Sequence, residues 1–177
     1  IPRVVIAYLD HTPGVDGSGV ERLRKAGVEV VVGVLQEQGR QLSQIRNTYV
    51  QQNRPYIILK WAQSADGFFA PEKQEQLWLS NSFSKRLVHK WRSETDAILV
   101  GYQTARSDNP RLNNRLFFGG QPCRILIDRD GSLPLGHRLM DGSQPTIVIT
   151  ENKSVPPSES HHLKYLHAQM SGDWLEP

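Results

Sequence analysis

The sequence predicts an α/β protein built on parallel strands, and three observations carry the prediction. The first 35 residues read as strand, helix, strand. Residues 81–92 place Phe83, Leu87, Val88 and Trp91 close to one helical face, and short apolar runs recur at 97–100, 125–127 and 146–149.

Taken in order, residues 4–8 are an apolar run with β-branched members, followed by the Gly/Pro/Asp-rich stretch DHTPGVDGSG at 10–19. That is a strand and a loop. VERLRKAG carries Val20, Leu23 and Ala26 at helical spacing and ends at Gly27, the usual C-terminal glycine of a short helix. VEVVVGVL at 28–35 returns as a strand, and a crossover helix between two strands implies that they run parallel. Residues 36–52 are polar, with Leu42 and Ile45 at i, i+3, and suit a helix or a linker.

Pro55 opens a second block. Residues 56–59 are expected as a strand, closed after a short extension by the Asp66-Gly67 turn. The helix at 81–92 has Ser80 or Asn81 as its cap. CRILID at 123–128 reads as a buried strand, which makes the single cysteine, Cys123, an inert core residue. Residues 153–160 form a Pro/Ser-rich loop leading into a His-containing segment with no clear pattern.

Composition narrows the function. The net charge of +3 comes from dispersed basic residues, which favours acidic small molecules over nucleic acid. No apolar run approaches the ~20 residues that span a bilayer, and no secretory signal pattern opens the sequence, so a cytoplasmic protein is expected. With one cysteine there is no internal disulfide.

Two clusters could carry chemistry. Lys85, His89 and Arg92 fall at i, i+4 and i+7, a cationic stripe opposite the apolar face. Such a stripe can hold a phosphate, or it can be the solvated face of an amphipathic helix. The second cluster is SDNPRLNNR at 107–115, a polar loop in which Pro110 pushes Asn109 towards extended conformations. It suits ligand contacts and a plain surface turn equally.

LKWAQSADG at 59–67, WLS at 78–80, VHKWRSETDAILVG at 88–101, DNPRLNNR at 108–115, and RILID followed by Leu133-Pro134 occur in this order. Together they resemble the reductase domain of the bifunctional riboflavin-biosynthesis deaminase/reductases. Residues 3–35, with DxTPGVDGSG and AGVEVVVGVL, are similar to the end of that family's deaminase domain.

The resemblance implies the C-terminal part of a deaminase domain and a linker at 1–52, then the N-terminal part of a dihydrofolate-reductase-like domain at 53–177. It implies NADPH-dependent reduction of the ribosyl group of a phosphorylated pyrimidine to a ribityl chain, in a homo-oligomer. By position, Ala62, Trp78, Thr104 and Asp108 would contact the cofactor, and Arg92, Leu112 and Arg115 the substrate. Lys60 matches a substrate-facing lysine, although it could instead pair with a structural carboxylate. Lys85 and His89 stay solvated helix positions.

Gln76 stands where the family often has a small hydroxyl residue touching the substrate, so that contact would have to come from a bulkier amide. The deaminase zinc needs one His and two Cys with a Glu in His-x-Glu, and the sequence contains neither a His-x-Glu nor paired cysteines. His11, His161 and His162 have no zinc-ligand spacing and are expected exposed. The family's later glycine-rich segment for the cofactor pyrophosphate, and the acidic residue after it, are not found, so the chain reads as cut at both ends. A related reductase acting on another heterocycle and a non-catalytic remnant are the alternatives.

Overall fold

A computed structural model of the chain describes residues 1–68, 79–155 and 162–169. The chain divides into two units, Ile1–Lys60 and Trp61–Pro177.

In the first unit β1 (Arg3–Ile6) and β2 (Glu29–Val32) pair in parallel, Arg3 opposite Glu29 and Ile6 opposite Val32, with α1 (Ser18–Lys25) as the crossover. Gly27 ends α1 as expected. At φ +78° it lets the Val28 N–H reach back to the Leu23 carbonyl at 3.1 Å, capping the helix with no Cβ penalty. The polar stretch that follows is two helices, α2 (Gln36–Leu42) and α3 (Gln44–Gln52), broken at Ser43. The expected strand at 56–59 does not form. Ile57, Ile58 and Leu59 are exposed and unpaired among the described residues, because β-branched composition makes a strand only where a neighbouring edge accepts its backbone.

The second unit opens with α4 (Ser82–Glu94), whose N-cap Asn81 accepts the Ser84 N–H at 2.8 Å. There follow β3 (Ala97–Gly101), α5 (Tyr102–Asp108), β4 (Cys123–Ile127), a 3-10 turn (Arg138–Met140), β5 (Thr146–Thr150) and β6 (Leu163–His167). The four strands form one parallel sheet in the order β3-β4-β5-β6. The segment with no clear sequence pattern is thus the β6 edge strand.

Side chains alternate across this sheet. Ile98, Val100, Leu126, Val148, Leu163 and Tyr165 share the face that packs against Ala105, Leu112, Leu133 and Leu139 from the connections. The other face shows Leu99, Ile125, Ile127, Ile147, Ile149 and Leu166, all half-buried or exposed. Cys123 lies on that second face and is half-buried rather than a core residue. Burial nonetheless pushes its thiol up against the pull of Arg124, so it stays an unreactive thiol.

The expected apolar strand at 123–128 turns a charge inward instead. Arg124 is buried and donates to Thr146 Oγ1 (2.8 Å), the Arg138 carbonyl (2.8 Å), Asp141 Oδ1 (3.0 Å) and the Gln144 carbonyl (3.1 Å). Nothing in an apolar run announces an arginine whose stem and head are both enclosed. The partners come from residues 138–146, which only the fold brings to β4.

Candidate anion-binding site on helix α4 and the 109–115 loop

Helix α4 faces the opposite way from its sequence pattern. Phe83 is 77% exposed, Trp91 41% and Leu87 37%, whereas His89 is 3% exposed and Arg92 is half-buried. The expectation that His89 is a solvated position is therefore wrong, and Lys85 is half-buried rather than fully solvated. The reason lies in the loop that α4 meets. Residues 112–115 belong to no helix or strand, so their main-chain groups need side-chain partners, and the polar stripe of α4 supplies them.

The loop starts where α5 stops. Asn109 closes α5 in the left-handed region at φ 41°, not in the extended conformation expected before a proline. Asparagine tolerates that region, and here its Oδ1 also accepts the Arg138 N–H at 2.8 Å. Leu112 follows at φ 52°, also left-handed, which is costly for a leucine. Its side chain is buried in the core cluster, so any ligand contact at this position falls to the backbone.

The next three residues are pinned one by one. Arg92 Nη1 donates to the Asn113 carbonyl at 2.9 Å. The Asn114 N–H donates to Gln121 Oε1 at 2.7 Å, and Gln121 Nε2 donates back to the Asn114 carbonyl at 2.6 Å. The Arg115 N–H donates to His89 Nδ1 at 3.1 Å, and Arg115 Nη1 donates to Asn113 Oδ1 at 3.0 Å.

The outcome is two guanidiniums converging on Asn113. Burial pushes the Arg92 guanidinium below its ordinary value, and the charge of Arg115 pushes it further in the same direction. His89 is lowered by burial first and then by both arginines, with the Asn114 side chain opposing weakly. Asn114 Oδ1 itself is buried and has no partner within hydrogen-bonding geometry among the described residues. Two like charges held together at a cost, with no carboxylate between them among the described residues, make an arrangement that an anion relieves.

The remaining expected residues distribute as follows. Thr104 and Asp108 are exposed, four residues apart on α5, and their side chains make no hydrogen bond or ion pair to another described residue. Ala62 is half-buried just before the Asp66-Gly67 turn, which forms with Gly67 at φ 88°. Lys60 is exposed at the end of the first unit and makes no ion pair among the described residues. Gln76, Trp78 and His161 lie outside the described residues.

His162 is exposed. His11, expected to be exposed, is half-buried, with its Nδ1 3.5 Å from Asp16 Oδ1 and its ring edge-on to Tyr8. Among the described residues no cluster of three or more His, Cys, Asp or Glu could hold a metal ion. Nor, among the described residues, is any helix long and apolar enough to cross a membrane. Sequence reasoning missed Asn113 and Gln121 as organisers of the loop. The i, i+3 spacing of His89 and Arg92 was the available signal for the side of α4 that meets it.

Fold and site together define a parallel α/β domain with a two-arginine cluster at the junction of a helix and a loop. The chain belongs to the RibD C-terminal domain family, whose pattern matches residues 55–172. It is 42% identical over 156 residues to the riboflavin biosynthesis protein RibD of Aquifex aeolicus, covering 87% of this chain and 44% of that protein. Against RibD of Synechocystis it is 35% identical over 170 residues, 96% of this chain and 46% of the relative.

Among solved structures, the diaminohydroxyphosphoribosylaminopyrimidine deaminase/5-amino-6-(5-phosphoribosylamino)uracil reductase of Thermotoga maritima superposes with a TM-score of 0.84 at 35% identity. The match covers 97% of this chain and 48% of that one. The chain thus spans about half the length of the relatives it matches. The region of homology is the C-terminal domain of the riboflavin biosynthesis protein RibD.

Proposed function

We propose that the second unit is part of an NADPH-dependent reductase that converts the ribosyl group of 5-amino-6-(5-phosphoribosylamino)uracil to the ribitylamino product. In this reading the fold is dihydrofolate-reductase-like, residues 1–52 are the end of a deaminase domain and its linker, and the whole is a cytoplasmic, homo-oligomeric bifunctional enzyme. The observation that carries the reading is the convergence of Arg92 and Arg115 on Asn113.

The substrate's phosphate takes the place between the two guanidiniums, where each donates paired, charge-assisted hydrogen bonds. With the phosphate held, the sugar is oriented so that its ring-opened C1, as an imine, is presented for reduction. NADPH, when bound, would supply the hydride for that carbon, with a proton taken up by the nitrogen to give the amine. Thr104 and Asp108 would hydrogen-bond the cofactor, Ala62 would offer it a small apolar surface, and the Leu112 backbone would add a substrate contact. Arginines that share one anchor favour a sugar phosphate over an uncharged heterocycle.

The test is calorimetric titration of ribose 5-phosphate into the chain, comparing wild type with Arg92→Ala and Arg115→Ala. Each substitution is expected to weaken binding by about 1.5–3 kcal/mol, the worth of a hydrogen bond to a charged group. Unchanged affinity in both variants overturns the assignment.

A further inference from the structure

The imidazole of His89 is an unusual choice for a helix position that meets two arginines. It is 3% exposed, three residues from Arg92 on α4, and it receives the main-chain N–H of Arg115 from 26 residues away. The charged groups facing it are Arg92 from its own helix and Arg115 from the loop, both cations. A third cation here would add to the repulsion. The bond also requires a bare nitrogen: since Nδ1 accepts the Arg115 N–H, the ring proton must sit on Nε2.

The surrounding bonds divide the work. Arg92 fixes the Asn113 carbonyl and Gln121 fixes both main-chain groups of Asn114, but neither of them touches the backbone of Arg115. The side chain of Arg115 is exposed, and among the described residues its guanidinium is tied only to Asn113 Oδ1. Its direction is therefore set by where its own backbone is held, and His89 is what holds it.

We infer that His89 is a positioning residue for the anion site: its neutral imidazole, through Nδ1, holds the main chain of Arg115 so that this guanidinium and that of Arg92 address one anion. This rests on the reading of Arg92 and Arg115 as the substrate's phosphate site. It adds a requirement that the arginines alone do not impose, an uncharged acceptor at position 89. A lysine or arginine there would add charge and lose the site's geometry.

The experiment compares the chain with His89→Leu, which has no acceptor, and His89→Asn, whose Oδ1 falls near the place of Nδ1. Two readouts are taken on each: ribose 5-phosphate affinity, and hydrogen-exchange protection of the Arg115 amide by NMR. In wild type the protection is also followed against pH alongside the imidazole nitrogen shifts.

Expected are loss of Arg115 protection and about tenfold weaker binding in His89→Leu, the upper range for one hydrogen bond, with both largely restored in His89→Asn. In wild type, Arg115 protection should fall as the imidazole takes up its second proton. A protected amide in His89→Leu, or wild-type protection that ignores the imidazole titration, overturns the inference. A protected, His89-dependent amide in a wild-type chain that binds no ribose 5-phosphate sinks the phosphate reading instead and leaves the hold on Arg115 standing.

Discussion

Arg124 Nη2 lies 3.0 Å from Asp141 Oδ1, and the two ends of this ion pair live in different surroundings: the arginine side chain is 1% exposed, the aspartate 40%. Burial alone would raise the Asp141 carboxyl, but hydrogen bonds from Ser143, joined by the bond and charge of Arg124, hold it below its ordinary value. The asymmetry decides which partner matters. A carboxylate left without its arginine can turn to water. An arginine left without its carboxylate stays enclosed with its charge.

Asp141→Ala should therefore cost about 3 kcal/mol of unfolding free energy, the lower end of the penalty for isolating a buried charge, because two carbonyls and Thr146 still accept from Arg124. Urea denaturation measures it. Removing the stranded charge as well, in Asp141→Ala/Arg124→Met, should recover part of the loss. A single-variant cost within about 0.5 kcal/mol of zero, as at ordinary surface sites, would refute the argument.

Stability should also depend on pH through His89. Its folded pKa is below the ordinary 6.5, from burial and then the two arginines. The unfolded chain takes up the proton first, so on this account stability is full above the unfolded value and declines as pH falls from about 6.5 towards the lower folded value. Urea midpoints measured between about pH 8 and about pH 5 should show the decline, and His89→Asn should flatten it. The carboxylates act in a more acid window. Asp10, held at about 2 mainly by hydrogen bonds from Thr12, and Asp141 contribute stability above the unfolded carboxylate value near 3.8 that is lost as pH falls through their folded ones.

Gly119 is a third point of sensitivity. It sits at φ +117°, and a Cβ there would lie 2.9 Å from Ser93 Cβ on α4, whose hydroxyl is already committed to the Lys90 carbonyl. Gly119→Ala should destabilise by about 1–3 kcal/mol and loosen the loop that carries Asn114 and Gln121. Gly120→Ala, with nothing within 4 Å of its would-be Cβ, is the control and should be close to neutral in thermal denaturation. Equal melting temperatures for the two variants would sink the steric account.

By itself the sequence determined whatever depends on local chemistry. Gly27 as a helix terminator, Asn81 as a cap, the Asp66-Gly67 turn and the parallel pairing of β1 with β2 all follow from residue type and spacing. So does the presence of two arginines, 92 and 115, with the right chemistry for an anion. What only the tertiary structure decided is which surface each element meets. The apolar side of α4 is the longer and more obvious stripe, yet the loop at 112–115 has main-chain groups to satisfy, and His89 and Arg92 can satisfy them while Phe83 and Leu87 cannot. The same logic buries Arg124, makes a strand of residues 163–167 because β5 offers an edge, and denies one to 56–59, which have no partner among the described residues. Composition sets what a side chain can do, and the unmet hydrogen bonds around it decide which of those things it does.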